Sequence, residues 1–196
     1  VQTNFIQSDG HIAGLNLTSS NSLTIRDYDG NLPILVDQHL AMDATSTLQL
    51  VFDTDPWDST ISFEAGIPVA LGGSLELSFA AGVDPITQLG RTIHLFDWTG
   101  VTPTGAFTVA STYNWDLSNL YTSGEVTLLA IPGFLPGDYD SDSDVDNNDY
   151  LAWRGNFGVS GVGLAADGNR DGVVDAADYT IWRDHLGSSA PGTAAH

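Results

Sequence analysis

Between Gly137 and Gly187 the chain writes one pattern twice, DYDSDSDVDNNDYLAWRGNFG and then DGNRDGVVDAADYTIWRDHLG. Asp138, Asp140, Asp142, Asp146, Asp149, Tyr150, Trp153, Arg154 and Gly158 return 29 residues later as Asp167, Asn169, Asp171, Asp175, Asp178, Tyr179, Trp182, Arg183 and Gly187. A match across both a polar loop and an apolar stretch marks an internal repeat. Oxygen-bearing residues at this spacing suit a hard cation: Ca²⁺ takes about six to eight oxygens, which a tight loop of about twelve residues supplies from positions 1, 3, 5, 7, 9 and 12. In the first loop these are Asp138, Asp140, Asp142, the backbone carbonyl of Asp144, Asp146 and Asp149. The second offers Asp167, Asn169, Asp171, the carbonyl of Val173, Asp175 and Asp178.

Two calcium sites are expected, and they are unequal. Position 12 is Asp in both loops, one methylene shorter than the bidentate Glu of calcium sensors. Position 6 is Gly172 in the second loop but Ser143 in the first, where a left-handed backbone costs a non-glycine residue about 1–2 kcal/mol. The 167–178 loop is therefore expected to be the better formed. Position 8 is apolar in both loops, Val145 and Val174, and is expected to face inward and pair the loops. So many carboxylates in one turn repel each other, which makes a bound cation part of the folding free energy.

Each loop must be positioned by the helix that follows it. Tyr150, Trp153 and Phe157, then Tyr179, Trp182 and Leu186, follow the helical period. Gly158 and Gly187 stand where left-handed C-terminal caps fall, and Arg154 and Arg183 approach the negative helix ends. Two such units facing each other predict a small pseudo-twofold module over 138–187.

The paired Asp-rich loops, each followed by one helix, resemble type I dockerins, whose EF-hand-type calcium repeats dock onto β-sandwich cohesins. They are also similar to the dockerin-like ends of secreted bacterial surface proteins. The resemblance covers about a quarter of the chain and implies Ca²⁺ and a protein partner. It assigns partner contacts to Asn147, Asn148 and Arg154 in the first repeat and to Ala176, Ala177 and Arg183 in the second.

Residues 1–131 read differently. Leu48, Leu50 and Phe52 alternate with Thr47, Gln49 and Val51, Leu75, Leu77 and Phe79 with Glu76 and Ser78, and Ile93 and Leu95 flank His94; a period of two means strands with one buried face. Further strands are expected at 11–18, 23–28, 34–42, 60–64, 106–110 and 125–131. Gly72-Gly73 signals a hairpin, and Asp84-Pro85 starts one or two helical turns. Short strands at this spacing predict a mainly β unit, a β-sandwich or jelly roll, with a short β-solenoid as the alternative. Residues 132–137, with two Pro and two Gly in the run IPGFLPG that ends there, read as a linker, and residues 188–196 as a tail.

Other chemistry in this half is sparse. Glu64, Glu76 and Glu125 could act on glycosides only if two of them face each other across a cleft, about 5–10 Å apart; outward-facing strand positions are the simpler account. Trp57, Trp98 and Trp115 could stack on sugars, but large aromatics on strands more often fill a core or an interface. His11, His39 and His94 lack metal-ligand spacing.

Composition narrows the function. The charge is −20, carried by 22 Asp and 3 Glu against 5 Arg and no Lys, which excludes nucleic acid and anionic membranes as partners. Half of the Asp lie between Asp138 and Asp184, so the acidity is partly local. There is no Cys, and no apolar run approaches the roughly 18 residues of a membrane span. The chain opens at Val1, as a processed secreted protein would. The expected function is a secreted, non-catalytic, calcium-binding assembly protein of the cell surface. Head-to-tail docking of the module on the β unit of another copy would build a filament or layer, with Val1–Thr18 adding a strand to a neighbour's sheet and both termini held by neighbours. The alternatives are a dockerin-tethered piece of an extracellular enzyme or adhesin that docks on a separate cohesin, and a carbohydrate-binding or carbohydrate-active domain.

Overall fold

Alternating apolar side chains commit one face of each strand to a core, but they leave open which strands pair and in which direction. The computed structural model, which describes residues 11–26, 33–52, 57 and 59–189, answers this with parallel stacking. The chain divides into two compact units, one ending at Ala130 and one starting at Ile131.

In the first unit β2 (Ser22–Arg26), β4 (Thr47–Phe52), β7 (Ser74–Phe79) and β11 (Thr108–Ala110) form one four-stranded sheet in which every neighbouring pair is parallel. Their registers align Leu23 with Leu48, Leu48 with Leu75, and Leu75 with Val109. Leu23, Leu48 and Leu75 are buried. A second sheet centres on β3 (Ile34–Met42), paired in parallel with β1 (His11–Leu17), β5 (Ile61–Phe63) and β6 (Val69–Leu71). Its outer strands β9 (Phe96–Asp97) and β10 (Thr104–Gly105) pair in parallel with β5 and β6. A third, antiparallel sheet holds β12 (Asn114–Asp116), β13 (Glu125–Ala130) and β8 (Thr92–His94).

The unit is mainly β, as expected, but the sandwich expectation is corrected. Sandwich sheets are built from antiparallel strands, whereas among the described residues ten strands stack in parallel rungs, the pairing of the solenoid alternative. The chain runs a strand in one sheet, turns a corner, runs a strand in the other, and returns one rung higher. The corners themselves stack: Thr47 N donates to Asn21 O, Ser74 N to Ser46 O and Thr108 N to Gly73 O, at 3.0, 2.9 and 2.8 Å. Asp43 joins two rungs, its carboxylate accepting from Ser19 N at 2.7 Å and from Thr45 N and Oγ1 at 2.8 Å.

Gly72-Gly73 is one of these corners and not a hairpin, because β6 and β7 lie in different sheets. Gly73 has φ +64°, and a Cβ on it would lie 2.1 Å from Ser46 O, so only glycine lets this corner sit on the one below. The turn after Asp84 forms as a short 3₁₀ helix, Pro85–Gln88, with Asp84 accepting from Ile86 N at 3.1 Å. Strands β10 and β12 lie outside the runs that the alternation marks. The segment His11–Leu17, expected to donate to a neighbour, pairs with β3 of its own chain. Residues 1–10 and 190–196, to which the sequence assigns contacts in an assembly, lie outside the described residues.

The second unit holds α1 (Asn147–Asn156) and α2 (Ala176–His185). Residues 131–137 belong with it and are not a free tether: Gly137 lies against the Trp182 backbone, and the Arg170 guanidinium sits 5.9 Å from the centre of the Phe134 ring. Ser188 is likewise part of this unit, its carbonyl accepting from Val145 N at 2.9 Å.

Candidate metal-binding loops

The two helices begin the same way and for the same reason. Asp146 and Asp175 are N-caps, accepting from Asn148 N at 2.5 Å and from Ala177 N at 2.7 Å. Three residues on, Asp149 and Asp178 reach back to the cap backbone, Asp146 N at 2.7 Å and Asp175 N at 2.8 Å, completing capping boxes. Loop positions 9 and 12 thus also start the helices. The D-x-x-D spacing carries this signal, and the cation reading of the sequence passes over it.

Asp149 and Asp178 are fully buried. Besides the cap bond, Asp149 Oδ1 accepts from Tyr139 N at 2.6 Å and Asp140 N at 3.1 Å, while Asp178 Oδ1 accepts from Asn169 N at 3.1 Å. The loops match at position 6 as well. Ser143 N donates to Asp138 Oδ2 at 3.0 Å as Gly172 N does to Asp167 Oδ2 at 2.9 Å. Position 6 is left-handed in both, Ser143 at φ +78° and Gly172 at +89°, and so is position 4, Ser141 at +65° and Arg170 at +59°. The folded first loop therefore carries backbone strain at Ser143 that Gly172 avoids.

The carboxylates converge most in the first loop. Asp138, Asp140 and Asp149 form one group with oxygens within 4.8 Å of one another, and Asp144, Asp146 and Asp149 form another. Asp144 thus brings its side chain close as well as the carbonyl the sequence assigns to position 7. Loss of hydration, then the charges of Asp149 and Asp142, hold the Asp140 carboxyl above its ordinary range; Asp144 is raised by the same loss and by Asp142 and Asp146. The second loop puts Asn169 in place of one carboxylate, yet it has the less satisfied oxygen. In the first loop Asp138 Oδ1 accepts from Asp142 N at 3.2 Å. The equivalent Oδ1 of Asp167, a residue only 8% exposed, is buried without a hydrogen-bond partner. A buried carboxylate oxygen left unmade is costly, and a cation at this position would satisfy it.

Each helix is tied to the other loop. Trp153 Nε1 donates to Asp175 O at 2.8 Å, and Trp182 Nε1 donates to Asp146 O at 2.6 Å. Tyr150, Trp153, Tyr179 and Trp182 pack between the helices, with Trp153 5.1 Å from Tyr179 and Tyr150 5.3 Å from Trp182. Val145 and Val174 are buried as expected, but their backbones do not join loop to loop. Val145 exchanges hydrogen bonds with Gly187 and Ser188, and Val174 with Gly158 and Val159, so each loop pairs with the chain leaving the opposite helix. Gly158 and Gly187 are the left-handed third residues of turns closed by Val159 N to Asn156 O and Ser188 N to His185 O, at 3.0 and 2.9 Å. This places Phe157 and Leu186 beyond the helix ends, 56% and 55% exposed, instead of on the inner stripe. The residues assigned to partner contact, Asn147, Asn148, Arg154, Ala176, Ala177 and Arg183, are all exposed, and Arg183 pairs with Asp184 at 2.7 Å.

Tyr139, which the sequence analysis passes over, is buried, and its hydroxyl donates to Asp178 O at 2.7 Å. Burial first, then the charges of Asp178, Asp149 and Asp167, push its proton loss well above the usual range, so the hydroxyl stays a donor.

The other candidates do not converge. Glu64 follows β5, Glu76 lies on β7 and Glu125 on β13, in three different sheets. Glu76 accepts from Gln49 Nε2 at 3.3 Å and Glu125 from Ser123 Oγ at 2.6 Å. Trp57 and Trp98 are core residues, Trp98 stacked 4.7 Å from Phe96, and Trp115 packs partly buried against them. His39 lies against Gly14 and His94 is exposed on β8, while the side chain of His11 lies outside the described residues.

Acid should move the two units in opposite directions. The raised Asp140 and Asp144 hold protons more tightly folded than unfolded, so without a cation the second unit gains stability as pH falls through their range. Asp43 is held low by the amide of Ser19 and by Thr45, so its contribution, present above the ordinary carboxylate range, is lost as pH falls through its lowered value. Hydrogen exchange on chelated protein, read as protection relative to a free amide at each pH, should show protection rising in α1 and α2 as pH falls toward the ordinary carboxylate range, and falling at the β2–β4 corners only below that range, as Asp43 passes its lowered value.

Comparison of the chain with models of known families, with curated proteins and with solved structures finds no match, so the functional reading rests on the residues and geometry of these two loops.

Proposed function

We propose that the second unit is a dockerin-like module that binds two Ca²⁺ ions and, once ordered by them, docks on another protein, and that the chain is a non-catalytic, extracellular assembly protein. Asp138, Asp140, Asp142, Asp144, Asp146 and Asp149 would hold one ion; Asp167, Asn169, Asp171, Val173, Asp175 and Asp178 would hold the other. Bound calcium would neutralise the converging carboxylates. The observation that carries the reading is the buried, unpartnered Oδ1 of Asp167 at position 1 of a loop whose backbone bonds repeat those of its partner.

The docking reading draws on Arg154 and Arg183, exposed at equivalent places in the two repeats, on the exposed Asn147 and Asn148 where the second repeat has Ala176 and Ala177, and on Phe157 and Leu186 at equivalent exposed turns. A second copy of the chain remains the proposed partner, although the parallel β unit removes the argument from likeness to a cohesin sandwich. Glu76 and Glu125 are each held by a neighbouring side chain, Gln49 and Ser123, which suits a non-catalytic role.

Calorimetric titration of chelated protein with CaCl₂ is expected to show two ions bound per chain, and sedimentation in excess calcium to show species that grow with protein concentration. Absence of bound calcium would end the metal reading. Two bound ions on a strictly monomeric chain would end self-assembly and leave docking on a separate protein.

A further inference from the structure

The two loops share their capping bonds and the bond from position 6 to position 1, and one of the positions at which they differ brings them into contact. Position 2 is Tyr139 in the first loop and Gly168 in the second. The two residues are in contact: a Cβ on Gly168 would fall 2.4 Å from the Tyr139 hydroxyl oxygen and 3.1 Å from Ile181 Cδ1. The missing side chain of one repeat makes the room that the large side chain of the other fills.

Tyr139 therefore spans the module. Its backbone N–H donates to Oδ1 of Asp149, the buried carboxylate at position 12 of the first loop, at 2.6 Å. Its hydroxyl donates to the backbone carbonyl of Asp178, position 12 of the second loop, at 2.7 Å. One rigid aromatic residue thus joins the two position-12 residues, each of which also completes a helix's capping box. A shift of either aspartate toward a cation moves the frame in which the other is held. Coupling of this kind is a free energy shared by two sites, so it acts equally in both directions.

We infer that Tyr139 couples the two loops, so that calcium in one raises the affinity of the other. This rests on the calcium reading above and is separable from it. Tyr139 acts here as a positioning residue: it contributes no oxygen to either ligand set. The indole bonds from Trp153 and Trp182 to the opposite loops supply optical reporters that do not depend on the tyrosine.

The test is a cycle of calcium titrations followed by calorimetry and indole fluorescence. Asp167→Asn removes a ligand from the second loop; Asp171→Asn, whose exposed residue bonds only within its own loop, does so with less risk to folding. In the Tyr139 background, either substitution is expected to lower the calcium affinity of the first loop by about 5-fold or more, the lower end of typical couplings. In the Tyr139→Phe background, where the ring still fills the space at Gly168, the same substitutions are expected to change that affinity less than about 2-fold. Equal losses in both backgrounds would overturn the assignment to Tyr139 while leaving calcium binding intact. Failure of the parent protein to bind calcium would overturn the metal reading itself, and the coupling with it.

Discussion

Asp149→Ala is expected to unfold the second unit in calcium-containing buffer and to leave the β unit folded. Asp149 is fully buried, and its two oxygens accept three backbone N–H groups, from Tyr139, Asp140 and Asp146, at 2.6, 3.1 and 2.7 Å. Hydrogen bonds to a charged group contribute about 1.5–3 kcal/mol each, and the stranded donors add a desolvation cost. A loss of about 4–6 kcal/mol follows even before the cation is counted, comparable to the whole stability of so small a unit. Asp149→Asn should cost roughly half as much. Its Oδ1 can still accept from Tyr139 and Asp140, but its amide would face the Asp146 N–H donor to donor. Asp184→Ala serves as control: Asp184 is an exposed partner of Arg183, so its loss should cost no more than about 1 kcal/mol. Urea unfolding followed by the indole resonances of Trp153 and Trp182 reads the second unit separately. If Asp149→Ala proves no more disruptive than Asp184→Ala, the buried carboxylate is not the organising group of its loop.

That aspartate also shows what a sequence can and cannot disclose. The repeat, the loops, the helices after them, the C-terminal turns at Gly158 and Gly187 and the inward Val145 and Val174 were all legible, because each follows from spacing within a few residues. The ties across the pseudo-twofold were not. The bonds of Trp153 to Asp175 and of Tyr139 to Asp178 join residues 22 and 39 apart, and no local pattern encodes them. Phe157 and Leu186 fit the helical period but fall one residue past the helix ends, where the glycine turn swings them outward.

In the β unit the longer strands were legible, the short β10 and β12 were not, and neither was the pairing. Period-two alternation reports one buried face and is identical for a parallel rung and an antiparallel sandwich strand. The columns that reveal stacking are present in the sequence: Ser22, Thr47, Ser74 and Thr108 occupy one register, followed by Leu23, Leu48, Leu75 and Val109. Their separations of 25, 27 and 34 residues (47 − 22, 74 − 47 and 108 − 74) share no fixed period, so the repeat escapes a search for one. Gly72-Gly73 misleads for a related reason. Two glycines signal a tight reversal, but here they let one corner sit on the corner beneath it, and that contact lies outside the local sequence.

Removing calcium is expected to have the second-largest effect, and it should act on one unit alone. In the calcium reading, a ligand at about 1,000 times its Kd stabilises the folded form by about 4 kcal/mol per site. Two coupled sites therefore contribute about as much as a domain of this size possesses in total. The structure shows where the loss would be felt: carboxyls at Asp140 and Asp144 raised by lost hydration and by their neighbours, and at Asp167 a buried oxygen with no partner. With chelator, the melting transition of the second unit should fall by 20 °C or more, at roughly 4–8 °C per kcal/mol for a small domain. The transition of the β unit should not move, since its Asp43 and Asp97 are held by amides and hydroxyls and are pulled below their ordinary range. Magnesium should restore little, because it demands near-octahedral geometry and gives up its waters reluctantly. Two calorimetric transitions that shift together on chelation would show that the units do not unfold independently. No shift in either would mean that the acidic loops fold on hydrogen bonds alone, with Asp149 and Asp178 as capping residues and nothing more.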